Sequence, residues 1–216
     1  PYGNHPEDKI VAMARYMFSF LEQRRVKALL VACNTISCLI DQYRDEMSCP
    51  VLSVVQAGAD AVKDLDVHKV GVISTCFTAS THCYPDLIGK AAPDKVVISH
   101  GCPDLANVVE RNVGRPEGQA LIDADVQKNL EGLVRDEQIE CCVLGCTHYP
   151  LLTDIIREIM GPEVSLVNAG AESVHTLRDA LARRQLLAPE GTGQALLCTS
   201  DRPEGFGQMA RRFLQE

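Results

Sequence analysis

Two short stretches place a thiol where it can do chemistry. "LLVACNTISCLI" runs from Leu29 to Ile40 and "VLGCTHYPLL" from Val143 to Leu152. Each starts as an apolar run, reaches a small residue (Ala32 or Gly145), then a cysteine, with a threonine one or two places on. An amphipathic segment follows in both. A cysteine at the point where a strand hands over to a helix lies near free backbone N–H groups and the positive end of the helix dipole. That setting is expected to lower a thiol from about 8.5 towards neutrality. One such thiol would make a nucleophile. Two facing each other, one ionised and one protonated, suit a different reaction. One removes a proton from a carbon, the other delivers a proton to the opposite face, and the roles exchange in the reverse direction. The product is the mirror image at that carbon. The plain alternative is that buried strands often end in small residues, cysteine among them. The recurrence of the pattern about half a chain apart favours function.

Strand and helix signals alternate around these cysteines. "VKALLVAC" and "IECCVLGC" are near-continuous apolar runs, as expected for parallel strands covered on both faces. "PVLSVV", "KVGVIST", "DKVVISHG", "EVSLVNAG" and "GQALLCTS" read as further strands. Helical spacing runs through "PEDKIVAMARYMFSFLEQRR", with Ile10, Ala14, Met17, Phe18 and Leu21 on one face, and recurs in "ISCLIDQYRDEM", "LANVVERN", "LLTDIIREIMG", "AESVHTLRDALARRQL" and "GFGQMARRFLQE". Such alternation calls for parallel sheets with helices on their faces, and ligands then bind beyond the carboxyl ends of the strands. The positions to watch are therefore Cys33 to Thr35, Ser74 to Cys76, His100 to Cys102, Cys146 to His148, Asn168 to Gly170 and Thr199 to Asp201.

Composition narrows the classes. The 216 residues are 46% hydrophobic and 23% charged, which suits a globular protein with a substantial core. The net charge is -8, from 29 acidic and 21 basic residues. The arginine pairs at Arg24, Arg183 and Arg211 stand apart, so no basic patch offers itself to nucleic acid or an anionic membrane. No apolar run reaches the roughly 18 residues of a membrane span. The ten cysteines mostly sit in apolar runs, which points to a reducing cytoplasm and thiols used as small core residues, Cys76, Cys102, Cys141, Cys142 and Cys198 among them.

Several motifs occur in order: "PYG" at Pro1 to Gly3, "ACNT" at Ala32 to Thr35, "GVISTCFT" at Gly71 to Thr78, "CP" at Cys102 with Glu110 eight residues on, "LGCTHYPLL" at Leu144 to Leu152 and "CTSD" at Cys198 to Asp201. Together they resemble the cofactor-independent aspartate/glutamate racemase family over essentially the whole chain. "CNT" is shared across that family. "GCTHYPLL" points to its glutamate branch, because aspartate-specific members usually carry an acidic residue where His148 stands.

The resemblance implies an α/β fold of two pseudo-symmetric lobes, each a mainly parallel sheet flanked by helices, with the active site in the cleft between them. Residues 1–60 and 169–216 would form the first lobe and 61–168 the second. Cys33 and Cys146 would be the acid/base thiols, His148 would assist Cys146, and Glu110 would be a polar partner near the site. Asn34, Thr35, Thr75, Thr78 and Thr147, with the Tyr2–Gly3 backbone, would hold the carboxylates and ammonium of glutamate. Thr75 and Thr78 also suit a plain helix-capping role. The implied reaction interconverts L- and D-glutamate for peptidoglycan, without pyridoxal phosphate or any other cofactor, in the cytoplasm. The implied partner is a small molecule rather than nucleic acid or membrane, and a homodimer stays open. The family pattern also includes a strand ahead of "PYG" that ends in an Asp-Ser-Gly motif, whose aspartate pairs with the first cysteine or the substrate amine. That stretch is expected upstream of Pro1.

Three rivals stand beside this reading. One is a racemase of the same fold acting on aspartate or another amino acid. Another is a catalytically inactive glutamate-binding homologue. The third is a metal site built from Cys141, Cys142, Cys146 and His148, which lacks the paired C-x-x-C spacing of structural zinc.

Overall fold

The computed structural model describes residues 2–189, 191, 193–200 and 202–214. Pro1 and Asp201, which belong to two of the motifs above, lie outside the described residues. After a 3-10 turn at Tyr2–Asn4, the chain runs through α1 (Glu7–Gln23), β1 (Leu29–Val31), α2 (Asn34–Ser37), β2 (Val51–Ser53) and α3 (Val54–Lys63). Then come β3 (Lys69–Ser74), α4 (Cys76–Ser80), α5 (Cys83–Ala91), β4 (Val96–Gly101), α6 (Leu105–Asn112) and α7 (Gln119–Gly132). The last elements are β5 (Cys141–Gly145), α8 (Thr153–Met160), β6 (Ser165–Val167), α9 (Ala169–Arg183) and α10 (Pro203–Leu214). No helix among the described residues is long and apolar enough to cross a membrane.

Two all-parallel sheets organise two lobes. The smaller pairs β1 with β2, Leu29 opposite Val51. The larger has the order β4-β3-β5-β6, with Val72 opposite both Ser99 and Val143. Every residue of β5 is buried, as its unbroken apolar run requires. Alternation along the strand sends Cys142 and Leu144 into one core with Ile122, Val126, Leu130 and Ile156, and Cys141 and Val143 into another with Val70, Val72, Tyr84 and Ile88. Cys141 and Cys142 therefore face opposite sides of the sheet, and the metal reading loses its geometry. The smaller lobe buries Ile10, Ala14 and Phe18 of α1 against Leu29, Val31 and Tyr43. Each large apolar side chain buried in these cores contributes roughly 1.5–3 kcal/mol.

Three sequence readings meet a different structure. The expected helix "ISCLIDQYRDEM" stops after one turn and continues as 3-10 turns at Ile40–Gln42 and Arg44–Glu46. The Tyr43 hydroxyl donates to the Ile36 carbonyl, which a continuing α-helix would have offered to the Ile40 N–H. The expected strand "GQALLCTS" has no regular structure where it is described, and Leu196 and Leu197 are 79% and 64% exposed. An apolar run becomes a strand only where a sheet edge pairs with it, and this one pairs with neither sheet. Cys198 is accordingly exposed rather than core, and Cys76, at the first turn of α4, is exposed as well. Elsewhere in the fold, α3 and the start of α9 pack on the larger sheet: Val54, Val55, Ala59, Val62 and Ala169 share a core with Val70, Val72 and Val143.

Candidate active site

Both motif cysteines stand at the carboxyl ends of strands, one from each sheet. Cys33 is extended, at φ -83° and ψ 121°, immediately before α2, and the backbone N–H groups of Thr35 and Ile36 point at its sulfur. Cys146 directly follows β5, and its sulfur receives the N–H of His148. The two side chains line one cavity of about 340 Å³. Tyr2, Gly3, Asn34 and Thr35 complete its wall on the Cys33 side. Glu110, Thr147 and His148 line it with Cys146, and Thr75 lines it beside Gly3 and Thr35.

A relay runs away from Cys146. Its Sγ lies 3.4 Å from His148 Nδ1, and His148 Nε2 lies 2.9 Å from Glu110 Oε1. The Phe213 ring of α10 packs edge-on against the imidazole at 5.8 Å between centroids. Glu110, read from sequence as a polar neighbour, is thus bonded to the histidine two residues from the second thiol.

The threonines form a second cluster. Thr35 Oγ1 lies 3.3 Å from Thr75 Oγ1 and 3.4 Å from Thr78 Oγ1, and Thr75 Oγ1 donates to Thr78 Oγ1 at 3.1 Å. Thr75 also caps α4 by accepting from the Thr78 N–H at 3.2 Å, so the capping role and a place on the cavity wall coexist. Thr78 departs from expectation. It is 2% exposed and lies behind the wall rather than on it, so its hydroxyl reaches the cavity only through Thr35 and Thr75.

The thiols do not sit at the lowered values expected from helix-start N–H groups. Burial pushes both up, Cys146 to about 12, and the N–H groups recover only part of that. Desolvation outweighs the dipole because the strand ends are buried under both lobes. A charge on Cys33 further raises Cys146, so the pair resists holding two thiolates at once. The pair therefore favours at most one thiolate at a time.

His5, Met13, Ala106 and Gly145 also line the cavity, and sequence reasoning did not single out the first three. The position of His5, two residues past Gly3, was the available signal. Met13 and Ala106 lie on helices with only a periodic apolar pattern, which does not reveal which end of a helix faces a cleft.

The Asp/Glu/Hydantoin racemase family model matches residues 3–176, a span that contains both strand-end thiols, Glu110 and His148. The chain belongs to this racemase family. A glutamate racemase of Streptococcus uberis is 34% identical over 220 residues, covering 100% of this chain and 81% of that protein. The crystal structure of glutamate racemase isoform RacE1 from Bacillus anthracis superposes with a TM-score of 0.93 at 32% identity, over 100% of this chain and 80% of that one. The glutamate racemase of Francisella tularensis, solved in complex with D-glutamate, gives a TM-score of 0.88 at 29% identity over the same shares. In this racemase the two lobes, each on its own parallel sheet, meet at the cavity that both cysteines line.

Proposed function

We propose that the chain racemises glutamate by proton transfer at its α-carbon between Cys33 and Cys146. The observation that carries this reading is that one sulfur from each sheet opens on the same small cavity. Substrate lies with its α-carbon between them. The thiolate on one side takes the α-hydrogen as a proton, and the C–H electron pair stays on the carbon, spread into the adjacent carboxylate. The thiol on the other side then gives its proton to the opposite face. The two sulfurs finish with exchanged protonation, and running the sequence backwards converts the other enantiomer.

The surrounding groups supply what this chemistry needs. Asn34, Thr35, Thr75, Thr147 and the Tyr2–Gly3 backbone offer neutral donors for the carboxylates and hold the α-carbon in line. Donors on the reacting carboxylate stabilise the charge that develops there, so the electrostatics fall to the chain itself. His148, bonded to Glu110, takes and returns the Cys146 proton through Nδ1. Free cysteines throughout the described residues support a reducing cytoplasm, where D-glutamate would feed peptidoglycan synthesis.

The test is racemisation in heavy water with L-glutamate and, separately, L-aspartate. The reading expects D-glutamate carrying deuterium at the α-carbon and little turnover of aspartate. Faster turnover of aspartate would reassign the substrate. Glutamate binding without any α-deuterium exchange would make the chain a binding protein and end the proposal.

A further inference from the structure

Tyr84 is a residue that neither the motifs nor the cavity wall draws attention to. It stands in the first turn of α5 and is 1% exposed. Its hydroxyl lies 2.7 Å from Asn34 Oδ1, on the residue next to Cys33. Asn34 is itself 4% exposed and lines the cavity. Burial pushes the phenol well above its ordinary range, so it keeps its proton and donates. The ring is wedged. A methyl group built on Gly145, the residue before Cys146, would lie 3.2 Å from Tyr84 Cε2, and one on Gly58 of α3 would lie 3.1 Å from the hydroxyl. Glycine at both places is what lets the ring occupy this slot.

We infer that Tyr84 is a positioning residue: its wedged hydroxyl holds the Asn34 carbonyl oxygen, so the Asn34 NH2 group is fixed as a donor into the cavity. An asparagine amide has two ends of almost the same shape and can present either one. With Oδ1 turned towards the buried phenol, the NH2 end is the one left for the substrate, which selects a carboxylate over the ammonium at that point of the site. An amide free to flip would present its oxygen part of the time and repel the carboxylate. This deepens the glutamate reading and rests on it, since it names the substrate group that Asn34 meets.

Tyr84→Phe keeps the ring and removes only the hydroxyl. In full-length protein it should melt within a few degrees of wild type and raise KM for glutamate about tenfold, the scale of one net hydrogen bond, with a smaller change in kcat. Asn34→Ala should raise KM as well, and the double variant Tyr84→Phe with Asn34→Ala should match Asn34→Ala alone, because the phenol acts through the amide. Multiplying effects, or an unchanged KM in Tyr84→Phe, would overturn the inference. A second measurement stands independently of turnover. The Asn34 side-chain amide resonances, assigned by their loss in Asn34→Ala, should shift in Tyr84→Phe, and identical resonances would overturn the inference. A wild-type protein inert towards glutamate would instead count against the functional reading, and the resonances would still decide the role of Tyr84.

Discussion

Glu110 Oε1 stands 2.9 Å from His148 Nε2, although 38 residues separate the two in the chain. The carboxylate fixes which imidazole nitrogen carries hydrogen. With Nε2–H donated to Glu110, Nδ1 is left as an acceptor 3.4 Å from Cys146 Sγ, in place to receive the thiol proton. Burial raises the Cys146 thiol to about 12, and the proposed mechanism uses His148 as the acceptor for its proton.

Glu110→Gln tests that arrangement. The amide keeps the shape but loses the charge that supports an imidazolium. We expect kcat to fall about tenfold to a hundredfold, within the range for weakening a general acid–base group. Glu110 is only half-buried, so the melting temperature should hold. Unchanged kcat would remove Glu110 from the relay.

Cys33→Ala and Cys146→Ala should each reduce racemisation by at least about a hundredfold, the low end of what a positioned acid or base contributes. Alanine keeps the Cβ of each side chain and removes one sulfur atom after a strand end, so both variants should keep the wild-type circular dichroism. Either variant racemising at the wild-type rate would refute the two-thiol mechanism.

The direction of the thiol shifts sets the pH behaviour. The proposed reaction needs one thiolate, and both site thiols are held above their ordinary range, so kcat/KM should climb as pH rises from about 7 to about 9 rather than level off near neutrality. Stability runs the other way. Cys141 is raised to about 11, and Cys102 and Cys146 to about 12. The folded state therefore binds these protons more tightly than the unfolded chain. Their contribution is complete below the ordinary thiol value of about 8.5 and is lost as pH passes through about 11 to 12. Urea midpoints measured across this range should fall while activity at the lower end still rises.

Gly145→Ala would test how tightly the second thiol is seated. The added carbon would lie 2.9 Å from the Ile73 carbonyl oxygen as well as against the Tyr84 ring. Backbone on one side and a wedged ring on the other leave little room to yield, so a loss of about 1–3 kcal/mol is expected in equilibrium denaturation. A neutral substitution would mean that β5 can shift relative to β3.

Thr75→Val tests capping and binding together. Loss of the α4 cap should cost about 1 kcal/mol of stability. Loss of the hydroxyl on the cavity wall should also raise KM for glutamate. Thr75→Ser should restore both, since it keeps the acceptor for the Thr78 N–H.

Much of the molecule was legible along the chain. The unbroken apolar run Cys141–Gly145 announced a strand buried on both faces, and β5 is one because burial on two sides leaves no polar position in the run. The strand-end rule pointed to Cys33 and Cys146, which line one cavity, since in a parallel sheet the chain always leaves a strand at the same edge. Signals that depend on a neighbour in space did not survive in one dimension. "GQALLCTS" has strand composition but no sheet edge to pair with, and "ISCLIDQYRDEM" has helical periodicity but loses a carbonyl to the Tyr43 hydroxyl. The thiol values were misread for the same kind of reason. Helix-start N–H groups are local and visible in a sequence, whereas desolvation depends on what the other lobe covers. The residue types that make acid–base chemistry possible, and the strand ends that present them, were determined by the sequence alone. Only the folded chain decided that Glu110 meets His148, that Thr78 stands behind the wall, and that Tyr84 grips Asn34, because each of these contacts joins segments brought together by core packing rather than by proximity along the backbone.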